Sequence, residues 1–403
     1  MKRQSSFTAV SSKPKLVSLT FSKRYRVQVC VVSGQATPNY IPIVHPDFQP
    51  EIIVLLISGK MKDNAQYLQT IVRKNYPKMQ IITEFIDDDC GESEEGITAL
   101  KAKVTKIISA LNVTPDEVGV NITGGTKLMT LALAEIVREE GYEAFYFTLG
   151  KNDVLLLSDF NKYHFVPEKL SIEDYLYLHG YKVAKPAIRE TSDKAQALFE
   201  QLGSRNRGAL SKFYSLFQTG NQNQYRFDLS QAVLLQSDIK ILNIFKNFHL
   251  LEFEDDIVTF ANAEDRDFVT GGWFEEYVFS IIKEREGIQD CAMNIAIIPV
   301  EQEDVDKHKN EIDVAYMKNN KLYVVECKTR NYTSKQSRAE GNNDLYKLET
   351  LQKLGGLQTE KVFISFQDVT EAMRERADFA RIELIQLHRD SDLEYELEKK
   401  HLI

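Results

Sequence analysis

Between residues 27 and 148 the apolar positions switch repeatedly between two spacings. Short apolar runs of strand length occupy Val27 to Val32, Glu51 to Ile57, Met79 to Ile86, Val118 to Ile122 and Glu143 to Thr148. Between them, Met61 to Tyr76, Gly96 to Leu111 and Lys127 to Glu140 repeat their apolar residues every three or four positions, as one face of a helix does. Strands alternating with helices of this length build βαβ units, whose right-handed connections give a mostly parallel sheet. The predicted fold is α/β, beginning with a doubly wound parallel sheet domain.

The rhythm changes near Phe160. From there to about Phe260 helices and polar loops prevail, among them the low-complexity run Thr219 to Gln224. Asp238 to Phe248 reads as a helix, and Leu250 to Phe260 as a hairpin turning at Asp255-Asp256. Together they resemble a winged-helix module, although one helix and one wing leave DNA binding open. Beyond Asp265 come a helix (Phe274 to Ile282), strands and an α/β tail. The expected division is a lead-in at 1–24, a first domain at 25–160, a connecting region at 161–262 and a last domain at 263–403.

With 403 residues, two or three cores are expected. Apolar runs such as Ile52 to Ile57 fall far short of the roughly 20 residues that cross a bilayer, and no secretory signal opens the chain. Membrane partners are therefore excluded. Cys30, Cys90, Cys291 and Cys327 lack zinc or redox spacing, and reduced thiols suit a cytoplasmic protein. The net charge of −9 confines any nucleic-acid contact to a local basic face. The lead-in contains Lys2, Arg3, Lys13, Lys15, Lys23 and Arg24 without an acid, as a solvated segment or a nucleic-acid arm would.

The sharpest chemistry lies in Asn310-Glu311-Ile312-Asp313-Val314 and Val324-Val325-Glu326-Cys327-Lys328. Asn319-Asn320 between them tolerates the positive φ angles of a two-residue turn. That turn sets Asp313 opposite Glu326 and Glu311 opposite Lys328, with Cβ atoms about 4.5–5.5 Å apart. Alternation then puts these four side chains on one face, and Ile312, Val314, Val325 and Cys327 on the other. Glu311 and Lys328 alone would be an ordinary cross-strand salt bridge. Asp313 facing Glu326, however, repels unless a positive group lies between them, which a hard divalent cation on carboxylate oxygens supplies. Such a site can hydrolyse a phosphodiester: the ion polarises the phosphate, and Lys328 orients water or neutralises charge. A third acid is expected from the helix after Gly271-Gly272-Trp273. Glu275 borders its apolar face and is preferred over Glu276, which neighbours Ser280 and Lys283. Trp273 reads as a packing anchor.

Downstream, Lys328, Arg330, Lys335, Arg338, Lys347 and Lys353 outnumber Glu340, Asp344 and Glu349. Tyr332 to Asn343 reads as a flap over substrate or a charged solvated loop, and Lys347 as opening a helix toward a phosphate backbone.

In the first domain, Asn121-Ile122-Thr123-Gly124-Gly125-Thr126-Lys127 joins a strand to a helix. Glycines there let a ligand approach the main chain, and the helix start favours an anion. Ser33-Gly34-Gln35 and Ser58-Gly59-Lys60 follow two other strands and would share the same carboxyl edge, where doubly wound sheets bind ligands. The run is neither a Walker A loop nor GxGxxG, so a nicotinamide enzyme is disfavoured.

Asn121-x-Thr123-Gly124-Gly125-Thr126-Lys127-x-Met129 resembles the CARF domains, Rossmann-fold sensors of cyclic oligoadenylate. Gly271-Gly272-Trp273-x-Glu275 with Asp313, Glu326 and Lys328 resembles the restriction-endonuclease-like PD-(D/E)xK effector fused to them in DUF1887 nucleases of type III CRISPR systems. The resemblance implies a homodimer binding cyclic tetra-adenylate, rather than the hexa-adenylate, across its two-fold axis. It also implies Mn²⁺- or Mg²⁺-dependent cleavage of DNA, RNA or both. Ser33, Gly34, Gln35, Ser58, Gly59, Lys60, Asn121, Thr123, Gly124, Gly125, Thr126 and Lys127 map onto ligand contacts. Asp313, Glu326 and Glu275 map onto metal ligands, and Lys328 onto the catalytic lysine. The rival expectation is a nucleotide-sensing transcriptional regulator with an inactive nuclease domain.

Overall fold

The computed structural model describes residues 25–165, 170–191, 193–203, 206–217, 224–304, 310–332, 335–351, 356, 359–387 and 392–403. The basic lead-in at 1–24 and most of the low-complexity run, 219–223, lie outside them.

Seven strands form the first sheet: β1 (Val27–Val31), β2 (Ile52–Ile57), β3 (Gln80–Phe85), β4 (Val118–Asn121), β5 (Glu143–Thr148), β6 (Asp153–Leu156) and β7 (Lys162–His164). Their spatial order is β3-β2-β1-β4-β5-β6-β7. The first five run parallel, and β6 and β7 return antiparallel. The strand order reverses at β1 and β4, so the crevice outside their carboxyl ends is the topological switch point. The helices are α1 (Thr37–Val44), α2 (Lys62–Asn75), α3 (Glu94–Ala110) and α4 (Lys127–Glu140). Sequence periodicity does not reveal α1, because Pro42 inside it reads as a breaker. Pro42 cannot donate to the Pro38 carbonyl four residues back; the Asn121 side-chain amide does so instead, at 2.9 Å. The sheet also continues through β7, past the expected edge of the domain at 160.

Helix α5 (Ile172–Leu178) and strand β8 (Tyr181–Val183) lead to a helical module. It comprises α6 (Lys194–Leu202), α7 (Arg207–Ser215), β9 (Arg226–Asp228), α8 (Gln236–Asn247), β10 (Glu252–Glu254) and β11 (Ile257–Thr259). Its sheet order, β10-β11-β9, is that of a winged helix, with Asp255 and Asp256 both at positive φ in the wing turn. The wing is acidic. Glu252 and Glu254 both hold Lys246 at 3.7 Å. A surface of this sign repels phosphate. The module packs against the last domain.

That domain contains α9 (Ala263–Asp267), α10 (Trp273–Lys283), β12 (Ile288–Pro299), β13 (Asn310–Lys318), β14 (Lys321–Lys328), α11 (Lys335–Leu351), β15 (Glu360–Ser365), α12 (Glu371–Phe379), β16 (Ile382–Gln386) and α13 (Leu393–Lys399). The sheet order is β16-β15-β14-β13-β12-β8, so the connecting region donates an edge strand. One face packs on the helical module and α10, the other on α11, α12, α5 and the helices α1 and α2 of the first domain. The two α/β domains therefore share a core, reinforced where Lys74 and Asn75 reach Asp174 at 2.6 and 2.7 Å. Lys335 onward is helical, where a flap or a charged solvated loop was expected, and Lys347 lies near the end of α11 rather than opening it. Among the described residues no helix is long and apolar enough to cross a membrane. All four cysteines are buried and free.

Candidate active site and ligand crevice

The β13–β14 hairpin forms as its turn dictates. Asn319 and Asn320 have φ of +52° and +58°. The ladder runs from Lys318↔Lys321 to Val314↔Val325 in the expected register. Beyond Val314 it departs from expectation. On the other side of β13 the ladder passes from Met293↔Val314 to Ile295↔Ile312, and Asn294 between them is left-handed at φ +52°. The kink changes which core the next residues enter. Val314, Val325 and Cys327 face the module side, whereas Ile312 faces α11 and the first domain. Ile312 therefore does not share the face of Val314. Glu311 pairs along β12 with Ala296 and is exposed beside Glu275 and Glu276 in a cavity of about 640 Å³, away from the expected partnership with Lys328.

Where the strands part, three oxygens meet one ammonium. Lys328 Nζ lies 3.1 Å from Asp313 Oδ2, 2.5 Å from Glu326 Oε1 and 3.1 Å from the Cys327 carbonyl. Asp313 Oδ2 also accepts from the Cys327 N–H at 2.8 Å, which fixes its direction. Glu326 is only 1% exposed, and both its oxygens accept from Lys347 Nζ at 3.0 Å. The role of Lys347 was not legible in sequence, because it depends on α11 lying across the sheet. Burial works against the Lys328 ammonium, but Asp313 and Glu326 outweigh it and hold its pKa above the usual lysine value. Burial, then Asp313, raises the Glu326 carboxyl despite Lys328 and Lys347.

Helix α10 carries Glu275 to the same place. Burial first, then the charge of Asp313, pushes its carboxyl up to about 8. Trp273 anchors the helix: it is completely buried and donates to Tyr214 Oη at 3.0 Å, which leaves no ring face for a base. Phe199 of α6 stacks on Tyr277 with centroids 3.7 Å apart. Among the described residues no group of three or more His, Cys, Asp or Glu side chains closes as a complete metal shell. The oxygens that converge are nonetheless a hard donor set. Asp313, Glu326 and the Cys327 carbonyl fit a divalent ion that keeps its remaining positions for water and substrate, with Glu275 adjacent.

The loops of the first domain lie at the switch point. Gly124 is required because a Cβ there would stand 2.5 Å from the Val31 carbonyl, and Gly125 because its φ is +86°. Thr126 caps α4, accepting from Met129 N at 3.2 Å, so the neighbouring N–H groups face outward with the exposed Lys127. Thr123 Oγ1 accepts from Phe147 N at 2.8 Å. Ser33 adjoins Gly124, its hydroxyl 3.3 Å from where a Cβ would lie. Gly59 and Lys60, exposed at the end of β2, neighbour Asp88, while Ser58 is buried. Two expected contacts are turned inward. Asn121 is buried and spends its side chain on Pro38, Asn39 and Thr123 N. The Gln35 carbonyl oxygen Oε1 points toward Gly356 of the last domain, 2.9 Å from where its Cβ would lie.

Comparison with known proteins follows the same division. A family described as the Card1 CARF domain matches residues 27–175, and one described as the Card1-like endonuclease domain matches residues 262–402. No curated protein matches the chain. Can2 from Sulfobacillus thermosulfidooxidans, solved in complex with cyclic tetra-adenylate, is 22% identical with a TM-score of 0.72, over 93% of this chain and 97% of that one. VC1899 from Vibrio cholerae is 24% identical with a TM-score of 0.76, over the same shares. A type III CRISPR defence DNA nuclease activated by cyclic oligoadenylate is 18% identical with a TM-score of 0.53, over 90% of this chain and 48% of that one. At these identities the likeness carries the fold: a CARF domain followed by a nuclease domain.

Proposed function

From a chain that joins a Card1 CARF domain to a Card1-like endonuclease domain, we propose a metal-dependent nuclease switched on by cyclic oligoadenylate in type III CRISPR antiviral defence. The observation that carries this reading is the convergence of Asp313, Glu326 and the Cys327 carbonyl on one cation, the Lys328 ammonium. Asp313 and Glu326 would hold the ion, Mn²⁺ or Mg²⁺, with Glu275 completing or trimming its shell. The bound ion supplies Lewis-acid polarisation of the scissile phosphate. Lys328, released from the acids that the ion then neutralises, orients the attacking water or meets charge developing on the phosphate. Lys347 fixes the Glu326 carboxylate from the solvent side. The substrate is DNA, RNA or both.

In the sensor, the outward N–H groups at the start of α4, with Thr126, Lys127 and Lys60, would take ligand phosphates. A ring of four identical nucleotides can be two-fold symmetric, which suits two copies of this crevice in a homodimer. Activation requires the ligand to bind the cleavage-competent arrangement more tightly than the idle one.

The test is cleavage of labelled DNA and RNA with Mn²⁺, with and without cyclic tetra- and hexa-adenylate. Ligand-dependent cleavage supports the proposal. Ligand-dependent retention of DNA without cleavage would favour a regulator, and ligand-independent cleavage would remove the sensor from the account. Lys127→Ala should weaken ligand binding while leaving the nuclease domain folded; unchanged affinity would place the ligand elsewhere.

A further inference from the structure

The first domain touches the β13–β14 hairpin at its turn, about six residues along each strand from Asp313 and Glu326, or roughly 20 Å at strand rise. Asn152, in the turn between β5 and β6, is left-handed at φ +53° and 3% exposed. Its Nδ2 donates to the Asn319 carbonyl at 3.2 Å, and its Oδ1 accepts from Asn320 Nδ2 at 3.3 Å. Asn320, 4% exposed, is gripped from the other side by Gln289: Nε2 donates to Asn320 Oδ1 at 2.8 Å, and Oε1 accepts from Asn320 N at 2.7 Å. Two-residue hairpin turns usually sit in solvent, where water satisfies them. Here Asn319 stays exposed, but Asn320 is buried between two side-chain amides.

The same turn end of the β5–β6 unit also reaches the ligand crevice. Phe147, near the end of β5, donates its N–H to Thr123 Oγ1 at 2.8 Å, and Thr123 adjoins Gly124 and Gly125. Asn152 itself is braced by its own carbonyl, which accepts from Phe165 N at 2.7 Å. A short bonded path therefore runs from the glycine loop through β5 to Asn152. From there it passes to Asn319-Asn320 and along a regular ladder to the acids. The ladder from Lys318↔Lys321 to Val314↔Val325 is continuous, so tilting the turn tilts the catalytic end with it.

We propose that Asn152 is the positioning residue through which an anionic ligand in the CARF crevice sets the alignment of Asp313, Glu326 and Lys328 in the same chain. The proposal rests on the functional reading above. It assigns to one amide pair a coupling that shared apolar packing, which lacks direction, does not supply.

Asn152→Gly removes the amide without straining the positive φ, and Asn152→Asp keeps the acceptor and the turn but loses the donor. Both variants and the wild type would be compared for cyclic tetra-adenylate affinity by calorimetry, for the ratio of ligand-stimulated to basal Mn²⁺-dependent cleavage, and for hydrogen exchange of the amides from Val314 to Val325 with and without ligand. The expected result is that Asn152→Gly still binds ligand, its stimulation ratio falls about tenfold or more, and the ligand-induced change in hairpin exchange disappears. Should the glycine variant melt early, the same readouts on Asn152→Asp decide. Full stimulation and an unaltered exchange response in either folded variant would overturn the proposal. A wild type that binds the ring without stimulated cleavage would instead overturn the functional reading beneath it.

Discussion

Replacing Lys328 by methionine removes the one ammonium shared by the two acids while keeping the apolar stem. In the wild type Asp313 Oδ2 and Glu326 Oε1 lie 3.1 and 2.5 Å from that ammonium. The two oxygens are therefore no more than about 5.6 Å apart, and at an effective dielectric of about 20 their repulsion is at least about 3 kcal/mol. That corresponds to about two pKa units. Glu326, already raised by burial and by Asp313, is the acid that should take up the proton. A carboxyl raised in the folded state loses stability as pH rises through its folded pKa, so Lys328→Met should melt at lower temperature with increasing pH in a chelator. Mn²⁺ should reverse this, because it restores positive charge between the same oxygens, and it should stabilise the variant more than the wild type. Cleavage should remain absent, since the ion cannot replace the lysine at the phosphate. Thermal melts across pH, with EDTA or Mn²⁺, measure all of this. A variant whose melting is independent of pH, and which gains no more from Mn²⁺ than the wild type, would show that the two acids do not face a common cation position.

Glu275, with its carboxyl pushed up to about 8, should be protonated at neutral pH before a divalent ion arrives. Ion binding would displace that proton, so apparent Mn²⁺ affinity should climb as pH rises toward about 8 and then level off, by up to about tenfold per unit. Calorimetry in buffers of different ionisation enthalpy would count the proton, and a pH-independent affinity would exclude Glu275 from the site. Trp273→Ala should lower unfolding free energy by about 3–5 kcal/mol, as expected for a buried aromatic, and should release α10 from Tyr214. Urea denaturation checks this; a loss below about 1 kcal/mol would mean that α10 is held elsewhere.

The hairpin was legible in sequence because side chains alternate strictly along strands and because Asn319-Asn320 fits only a narrow set of turns. These rules placed Asp313, Glu326 and Lys328 together. They failed one residue further on, at Glu311 and Ile312, because the kink originates at Asn294 on the neighbouring strand, and no pattern within β13 reports it. Helix α1 was hidden by Pro42, whose cost is offset by a side chain 79 residues later, Asn121. The contact of Lys347 with Glu326 and the clamp at Asn152 depend on how separate elements meet in space. Local spacing cannot encode either. The doubly wound fold, by contrast, followed from alternating periods and right-handed connections, and the glycine loop fell where such a sheet binds ligands.

The central claim is that one hairpin site cuts nucleic acid on instruction from a separate crevice. Glu326→Ala, assayed side by side for cyclic tetra-adenylate binding and for ligand-stimulated, Mn²⁺-dependent cleavage, tests it most directly. Wild-type ligand affinity with cleavage abolished is the predicted result; cleavage that survives the substitution would contradict the assignment of the site.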